Sequence, residues 1–326
     1  MGIDLSIIIV TWNARELLLR AVASIFREVK GSRFEVIVVD NDSEDGSAAA
    51  VEAEFPGVKV IRNPRNLGFA GGNNIGLREA KGRHAVLLND DTVVLPGAFE
   101  RLVAWMDANP GTGLCAPQLL DPDGSKQNSI HNFPSLATEI LNVSLLRIML
   151  PGRYPSKRQD YAEPIEVEAV LGACLVVRRE ALEQVGPMDD GYFFFMEETD
   201  WCARMREAGW KVVHVPDARI THLSGGSSKK KLPLETRIEY LRSLYRFFGK
   251  NRGPVQRLAV ISIRLIKLAL NLVIFSAISV VTLGRAARAR RKAAESARML
   301  LWHLRGCPAG WGLAGAARRR RAGAGS

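Results

Sequence analysis

Two adjacent carboxylates follow a short apolar run near residue 90, and their positions suggest a site for chemistry. The run begins at His84 and stops on Asn89, Asp90 and Asp91. In open α/β sheets ligands bind outside the carboxyl ends of the strands, and a magnesium-type ion is commonly held by one or two carboxylates with substrate phosphates. The pattern therefore predicts a cation site at Asp90 and Asp91. The alternative is a turn or a helix cap, because Asp-Asp-Thr before Pro96 would also begin a helix well.

A second group of carboxylates follows an aromatic run at residues 192–196. Glu197, Glu198 and Asp200 begin a predicted helix that continues to about Gly209. They could stabilise the N-terminus of that helix through its dipole. They could also supply a general base, because a carboxylate beside Phe and Trp surface is partly desolvated and its pKa rises towards a range useful for deprotonating an alcohol.

The segments that position these groups alternate between strands and helices. A β-branched run at residues 5–10 predicts a strand covered on both faces, followed by Thr11, Asn13 and a helix to about Phe26. The chain has no glycine between residues 3 and 30, so the Gly-x-Gly-x-x-Gly turn of dinucleotide-binding folds is absent. This absence argues against a nicotinamide or flavin enzyme.

The second predicted strand, residues 34–39, ends on Asp40 at the same sheet edge as Thr11. A carboxylate at a strand end can accept hydrogen bonds from a ribose hydroxyl or a base N–H group. Asp42 or Ser43 could instead cap the helix that follows. We predict that Asp40 binds a ligand and that Ser43 caps the helix.

A glycine-rich segment follows the short third strand at residues 58–62. Gly68 and Gly71 allow tight turns and close approach of backbone N–H groups to a ligand, and residues 73–80 are predicted to resume as a helix. The segment immediately precedes the apolar run that ends at Asp91. We therefore predict a ligand-binding loop at residues 63–74.

Four segments of this half of the chain resemble one enzyme family. They are Ile7-Ile-Ile-Val-Thr-Trp-Asn13, Val38-Val-Asp-Asn-Asp-Ser43, Asn66-Leu-Gly-Phe-Ala-Gly-Gly-Asn-Asn74 and Leu87-Leu-Asn-Asp-Asp-Thr92. Together they resemble the nucleotide-sugar glycosyltransferases of family 2, and most closely the rhamnosyltransferase-like group that builds bacterial surface polysaccharides. The resemblance implies a GT-A fold, which is a Rossmann-like α/β architecture with a mixed, mainly parallel sheet flanked by helices.

The resemblance also implies roles for individual residues. Thr11, Asp40 and Asp42 would contact the donor nucleoside, and the full donor-binding set is Thr11, Asn13, Asp40, Asp42, Asn66, Gly68, Gly71, Asn73, Asn89 and Asp90. Asn89 to Asp91 stand in the place of the family's Asp-x-Asp motif, with Asn in place of its first Asp. Asp91 would bind Mg²⁺ or Mn²⁺, and His222 matches the family's histidine that can complete the metal shell.

The second group of carboxylates, Glu197, Glu198 and Asp200, resembles the Glu-Asp-x-Asp motif that carries the catalytic base in the family. Position by position, Glu198 is the predicted base and Asp200 is the next candidate. Glu198 replaces an Asp, so its carboxylate reaches one methylene further. The run Ser227-Ser-Lys-Lys-Lys231 could clamp the donor diphosphate or could be a solvated loop. His214 lies in a predicted strand and is predicted to be structural.

The C-terminal region has a different composition. Residues 258–283 are strongly apolar, but Arg264 and Lys267 interrupt them and leave fewer uncharged residues than the roughly 20 that a bilayer span needs. Arg257, Arg264, Lys267 and Asn271 fall on one helical face. This spacing favours an in-plane amphipathic helix over a spanning one, and the alternative is a soluble helix packed on the domain.

The net charge of +11 is concentrated behind that apolar segment. Residues 284–326 contain ten arginines and one lysine against the single acid Glu295. A basic tail beside an apolar segment indicates attachment to anionic lipids rather than a nucleic-acid groove.

The four scattered cysteines contain no Cys-x-x-Cys pair and favour a reducing compartment. We therefore expect the chain at the cytoplasmic face of the cell membrane.

These features predict three regions and one reaction. Residues 1–110 would bind the nucleotide sugar, residues 111–228 would bind the acceptor and carry the base, and residues 229–326 would form a helical, membrane-associated extension. The resemblance implies inverting transfer of a sugar, with deoxythymidine-diphosphate rhamnose as the leading donor, and the membrane-facing tail suggests a lipid-linked saccharide as the acceptor. The alternatives are a UDP- or GDP-hexose donor, or a non-catalytic membrane scaffold that binds nucleotide sugars. A nucleotidyltransferase is disfavoured because no glycine-rich phosphate loop follows the first strand.

Overall fold

A computed structural model of the chain describes residues 2–141, 143–154, 160–223 and 233–324. The chain divides into two compact units. The first contains Met1–Phe133 and Met149–Ser227, and the second contains Pro134–Ile148 and Ser228–Ser326. The predicted clamp at residues 227–231 lies outside the described residues.

The strands of the described residues all belong to the first unit. They are β1 (Leu5–Thr11), β2 (Phe34–Asp40), β3 (Lys59–Arg62), β4 (His84–Asn89), β5 (Thr92–Val94), β6 (Thr112–Leu120), β7 (Ile130–His131), β8 (Ile165–Glu166), β9 (Ala169–Val170), β10 (Cys174–Arg178) and β11 (Lys211–His222).

The helices are divided between the two units. In chain order they are α1 (Arg15–Glu28), α2 (Ser47–Glu54), α3 (Gly68–Glu79), α4 (Ala98–Ala108), α5 (Leu136–Ile140), α6 (Val143–Met149), α7 (Arg179–Val185), α8 (Glu197–Glu207), α9 (Pro233–Asn251), α10 (Pro254–Val281), α11 (Ala287–Leu304) and α12 (Leu313–Ala324). A short 3₁₀ turn, Ala309–Trp311, precedes α12.

The main sheet is mixed and has the strand order β3-β2-β1-β4-β10-β6-β11-β5, with β8 paired to β11. The strands β3, β2, β1 and β4 run parallel, whereas β10 is antiparallel to both β4 and β6. β1 lies inside the sheet, and its residues Ile7, Ile8 and Ile9 are fully buried because helices cover both faces. Leu18 and Leu102 pack on one face, and Leu77 and Trp201 pack on the other. The predicted fold class is confirmed.

The glycine-rich segment is helical, so the prediction that the helix resumes only at Asn73 is wrong. α3 begins at Gly68. A Cβ atom at Gly72 would lie 2.6 Å from a methyl carbon of Val10, and one at Gly76 would lie 2.3 Å from a methyl carbon of Ile8. These glycines therefore let α3 pack closely against β1.

Asp90 and Asp91 form a turn and not a helix cap, and the predicted Ser43 cap is wrong. α4 is preceded by Gly97 with a φ of 72°, so Asp90 and Asp91 do not cap a helix and instead form the turn between β4 and β5. α2 is preceded by Gly46 with a φ of 78°, and the backbone N–H of Ser47 at its start donates a hydrogen bond to Oδ1 of Asp45, not to Ser43. The Ser43 hydroxyl instead accepts a hydrogen bond from the backbone N–H of Asn13 at 2.9 Å. Glycine takes these positions because it adopts positive φ at little cost.

The second unit is a helical assembly around aromatic residues of α9. Phe247 and Phe248 are fully buried, and the Tyr245 ring stacks on Trp302 of α11. The buried carboxylate of Glu239 accepts a hydrogen bond from the backbone N–H of Ala314 at the start of α12. α10, at 28 residues, is long and apolar enough to cross a membrane by length and composition, and little of it is buried in the structure.

Candidate active site

Three strands of the first unit end at one level and define the edge where the site lies. Thr11 is aligned with Asp40 across β1 and β2, and Val10 is aligned with Asn89 across β1 and β4. Because parallel strands present their carboxyl ends at one edge of a sheet, the predicted ligand residues of all three strands lie side by side.

The turn after β4 carries two neighbouring acids in different environments. The Thr11 hydroxyl donates a hydrogen bond to Oδ2 of Asp90 at 2.9 Å. Burial and the negative charge of Asp91 raise the pKa of Asp90 to about 7, although hydrogen bonds from Thr11 and the Trp12 backbone act in the opposite direction. Like charges held this close repel each other, and a bound cation would relieve that repulsion.

Asp91 faces His222 across the antiparallel pair of β5 and β11. Oδ1 of Asp91 lies 3.2 Å from Nε2 of His222, and the other ring nitrogen, Nδ1, lies 2.9 Å from Oε1 of Gln127. The Gln127 amide nitrogen donates to Oδ1 of Asp121, so its oxygen is the atom that accepts a hydrogen bond from His222. With Nδ1 protonated, the lone pair of a neutral His222 points from Nε2 towards a carboxylate oxygen. A metal ion could bind between these two acceptor atoms.

The spacing of this pair fits a shared divalent ion. Two ligands about 2.1 Å from one octahedral ion and at right angles to each other lie about 3 Å apart, close to the Asp91–His222 distance. The Gln127 contact fixes the ring orientation, as outer hydrogen bonds do for metal-binding histidines. Among the described residues no group of three or more His, Cys, Asp or Glu is placed to hold a metal. Donor phosphate oxygens and water would therefore have to complete the shell.

A network of amides joins the end of β2 to the start of α3. The buried side chain of Asn41 donates to the Gly68 carbonyl at 2.9 Å and accepts from the Asn63 amide at 2.7 Å. Oδ1 of Asp40 accepts from the backbone N–H of Ser43 at 3.0 Å. Asn13 and Asp42 both have positive φ, which these residue types tolerate better than most. This network holds the backbone around Asp40.

The donor-binding residues predicted at residues 66–73 occupy distinct positions around the start of α3. Oδ1 of Asn66 accepts from the backbone N–H of Gly68, which has a φ of 75°. A Cβ atom at Gly68 would lie 2.1 Å from the Phe193 carbonyl oxygen, and one at Gly71 would lie 2.9 Å from Cβ of Leu67. Asn73 is buried, and its amide donates to the Phe69 carbonyl within the helix.

Glu198 lies on the first turn of α8 with 14% of its side chain exposed. Burial raises the pKa of Glu198 to about 6, although a hydrogen bond from Thr199 opposes the shift. Oε1 of Glu198 lies 3.4 Å from the Thr199 hydroxyl and 4.0 Å from Nε2 of His131. His131 also lies 3.0 Å from the Thr199 hydroxyl. The carboxylate is therefore oriented, partly desolvated and still accessible, as a general base requires.

Asp200 has the opposite environment although it lies on the same turn. Its side chain is fully buried, and Oδ2 accepts a hydrogen bond from Nε of Arg204 at 2.9 Å. The other nitrogens of the Arg204 guanidinium donate to the carbonyls of Val185 and Pro187. This ion pair ties α8 to the preceding loop and gives an acceptor no access to Asp200.

The backbone leading into α8 has an uncommon conformation. Phe195 and Met196 have φ values of 76° and 69°. Consecutive left-handed residues other than glycine are costly, and such strain persists only where surrounding contacts impose it, frequently at functional sites. The left-handed backbone at Phe195 and Met196 turns the chain directly before Glu198.

Two contacts link Glu198 to the turn that carries Asp90 and Asp91. The backbone N–H of Asn89 donates to the carbonyl of Ala173 at 3.0 Å. The preceding residue is Gly172, where an added Cβ atom would lie 3.6 Å from Cβ of Glu198. A Cβ atom at Gly172 would make only an ordinary van der Waals contact with Glu198, so the structure places the base candidate beside β10, near the strand end that precedes Asp90 and Asp91.

Sequence reasoning missed three residues of this site. Gln127 and Asn41 make hydrogen bonds to His222 and to the start of α3, and His131 bonds to Thr199, whose hydroxyl in turn contacts Glu198. Asn41 lies inside one of the motifs that carry the resemblance, so its position was a usable signal. Gln127 and His131 precede α5 in a segment with weak periodicity, and their contacts span 95 and 68 residues of sequence. Local patterns carry no such information.

Two solved structures share this architecture. A mannosyltransferase from Pyrobaculum calidifontis, in complex with GDP-Man and Mn²⁺, has a TM-score of 0.53 at 16% identity and covers 93% of this chain and 88% of its own. GalNAc-T7 with UDP, GalNAc and Mn²⁺ has a TM-score of 0.54 at 19% identity, and the match covers 71% of this chain and 46% of that one. The fold is the GT-A fold.

The sequence comparisons then define the family. A model of the family described as Glycosyl transferase family 2 matches residues 6–186. The chain belongs to glycosyl transferase family 2. The N-acetylglucosaminyl-diphospho-decaprenol L-rhamnosyltransferase of Mycobacterium tuberculosis is 30% identical over 239 residues, covering 68% of this chain and 78% of the relative. The dTDP-rhamnosyl transferase RfbF of Shigella flexneri is 26% identical over 265 residues, covering 78% and 83% respectively.

Proposed function

We propose that this family 2 glycosyltransferase is an inverting rhamnosyltransferase that uses deoxythymidine-diphosphate rhamnose and a lipid-linked saccharide. The observation that carries the reaction type is the pairing of an accessible, desolvated Glu198 with an Asp91–His222 pair at one sheet edge. The choice of rhamnose is supported by the names of the relatives from Mycobacterium tuberculosis and Shigella flexneri.

Glu198 acts as the general base. Its carboxylate takes the proton from an acceptor hydroxyl while that oxygen forms a bond to the anomeric carbon of the sugar. The bond between this carbon and the diphosphate oxygen breaks on the opposite side, so a nucleoside diphosphate leaves and the configuration inverts. Glu198 is a better candidate than Asp200 because only Glu198 is exposed to an acceptor.

The sheet edge holds the donor. Asp40 and Thr11 lie where they can bind the nucleoside, and the backbone around Gly68 lines the same side of the site. Asp91 and His222 would hold Mg²⁺ or Mn²⁺ together with the diphosphate. Such an ion, when bound, neutralises negative charge that develops on the departing diphosphate.

The acceptor and the membrane involve the later parts of the chain. Residues 1–110 form the donor half, residues 111–228 the acceptor half, and residues 229–326 attach the enzyme to the cytoplasmic leaflet. The exposed apolar surface of α10 and the arginines that follow it support this attachment. The lipid-linked acceptor is supported by the diphospho-decaprenol substrate in the name of the mycobacterial relative.

A donor panel tests the proposal. The purified chain in detergent, with Mg²⁺ or Mn²⁺ and a lipid-linked saccharide, is given dTDP-rhamnose, UDP-hexoses and GDP-mannose in turn, and release of nucleoside diphosphate is followed. We expect acceptor-dependent release from dTDP-rhamnose. Release from a UDP- or GDP-hexose alone would replace the donor assignment. Binding of a nucleotide sugar without release from any donor would favour the non-catalytic scaffold.

A further inference from the structure

The exposed apolar side chains of the second unit are concentrated in two segments that are far apart in sequence. In the segment of α5 and α6 the exposed residues are Ile140, Leu141, Leu145 and Ile148. On and directly after α10 they are Val255, Leu258, Ile266, Leu270, Val273, Ile274, Ile278, Val280, Val281 and Leu283. Soluble proteins rarely expose apolar residues at this density, and such a surface commonly marks a site where another molecule binds.

The two segments are joined by an ion pair that sequence reasoning did not reveal. The carboxylate of Glu139 on α5 is only 6% exposed and forms a salt bridge with the Arg264 guanidinium of α10. The Lys267 ammonium of α10 donates to the backbone carbonyl of the same Glu139. Arg264 and Lys267 are the two cations that interrupt the apolar run of α10. Both of them therefore have their partners on α5.

α5 is too short to be stable by itself, so local contacts must hold it. It begins with a capping box in which the Ser135 hydroxyl accepts from the Thr138 backbone N–H and the Thr138 hydroxyl accepts from the Ser135 backbone N–H. In α6, Leu146 is buried while its neighbour Leu145 is exposed. The segment is thus amphipathic, with one side packed and the other open.

The charges that adjoin this surface indicate the nature of its partner. α11 packs against α10, and the Lys292 ammonium lies 4.7 Å from the ring centroid of Phe275. The exposed basic residues of this region are Arg285, Arg288, Arg290, Arg291 and Arg298. An apolar surface adjoined by cations is complementary to an anionic lipid leaflet, which offers acyl chains and negative headgroups.

We propose that α5, α6 and α10 form one docking surface for an anionic bilayer, and that Glu139 is the built-in counter-ion that compensates the cations of α10. The proposal deepens the lipid-linked step of the proposed function and assigns part of the lipid contact to a segment outside the C-terminal extension. Without Glu139, the charge of Arg264 would be left partly buried and unpaired, which is costly.

Vesicle co-sedimentation of the full chain tests the surface without any donor or acceptor. Vesicles of phosphatidylcholine with phosphatidylglycerol are compared for the wild type, Ile148→Glu and the matched control Ile148→Leu. Because burying one large aliphatic side chain is worth roughly tenfold or more in partitioning, we expect Ile148→Glu to bind about tenfold more weakly and Ile148→Leu to bind like the wild type. Unchanged binding by Ile148→Glu would overturn the role of α6.

A double-mutant cycle tests the counter-ion. Glu139→Gln should lower the free energy of unfolding measured with urea, whereas Glu139→Gln combined with Arg264→Met should restore it, because no unpaired charge then remains. Failure of the double variant to recover, with circular dichroism unchanged, would overturn the role of Glu139. Concentration-dependent dimerisation lost in Ile148→Glu, together with absent vesicle binding, would instead identify a contact between two copies. A chain that binds vesicles but transfers no sugar would refute the proposed function and leave this surface intact.

Discussion

Glu198 and Asp200 lie two residues apart on one helical turn, and burial gives them different environments. Glu198 keeps a small exposed area and contacts Thr199, whereas Asp200 is fully buried against Arg204. The sequence suggested both as bases because the motif contains both carboxylates. The difference comes from the loop before α8, whose carbonyls bind Arg204, and periodicity does not predict such a contact.

The pKa of Glu198 gives a pH profile with a definite sign. A general base must be deprotonated, and burial raises the pKa of Glu198 to about 6. We therefore expect kcat/KM to be level above about pH 7 and to fall about tenfold per pH unit well below pH 6. Initial rates between pH 4.5 and 8 provide the measurement. A rate that stays constant down to pH 5 would contradict the assignment.

Replacement of Asp200 should affect stability more than chemistry. Asp200→Asn leaves Arg204 without its buried partner, and breaking such a pair costs about 3–5 kcal/mol. We expect a clear fall in the free energy of unfolding measured with urea. The control Glu207→Gln alters an exposed acid on the same helix and should change the stability by less than about 0.5 kcal/mol. A stable but inactive Asp200→Asn enzyme would instead point to Asp200 as the base.

At the level of elements, the strand ends were predictable and the start of α3 was not. The β-branched runs of β1 and β2 and the apolar run of β4 each end on polar residues, so their shared edge followed from strand direction. In α3 the glycines indicated a loop because their intrinsic helix propensity is low. Packing against Val10 and Ile8 reverses that preference, since only glycine fits beneath the helix.

Gly68 provides a direct test of this close approach. Gly68→Ala places a Cβ atom 2.1 Å from the Phe193 carbonyl oxygen at a φ of 75°, so the start of α3 must shift. We expect a loss of more than about 1 kcal/mol of stability and weaker binding of the donor nucleotide. Gly57→Ala, where an added Cβ meets no atom within 4 Å, is the matched control. Equal unfolding curves and nucleotide affinities for the two variants would show that the glycine is dispensable.

At the scale of the whole molecule, the sequence predicted the fold class but not the way in which distant segments combine. β10 begins 85 residues after the end of β4, yet it lies between β4 and β6 in the sheet. Its position brings Gly172 beside Glu198. Residues 134–148 join the C-terminal helices rather than the sheet unit in which their neighbours lie. Both features depend on contacts between segments remote in sequence, which no local pattern encodes.

We propose that Asp91 and Glu198 act in one acceptor-dependent sugar transfer. The most direct measurement is release of nucleoside diphosphate from dTDP-rhamnose by the wild type, Asp91→Asn and Glu198→Gln, each with and without the lipid-linked acceptor. We predict that the wild type releases the diphosphate only with acceptor, and that each variant loses at least about a hundredfold in rate while its thermal unfolding stays near that of the wild type. Acceptor-dependent release that survives in both folded variants would contradict the account.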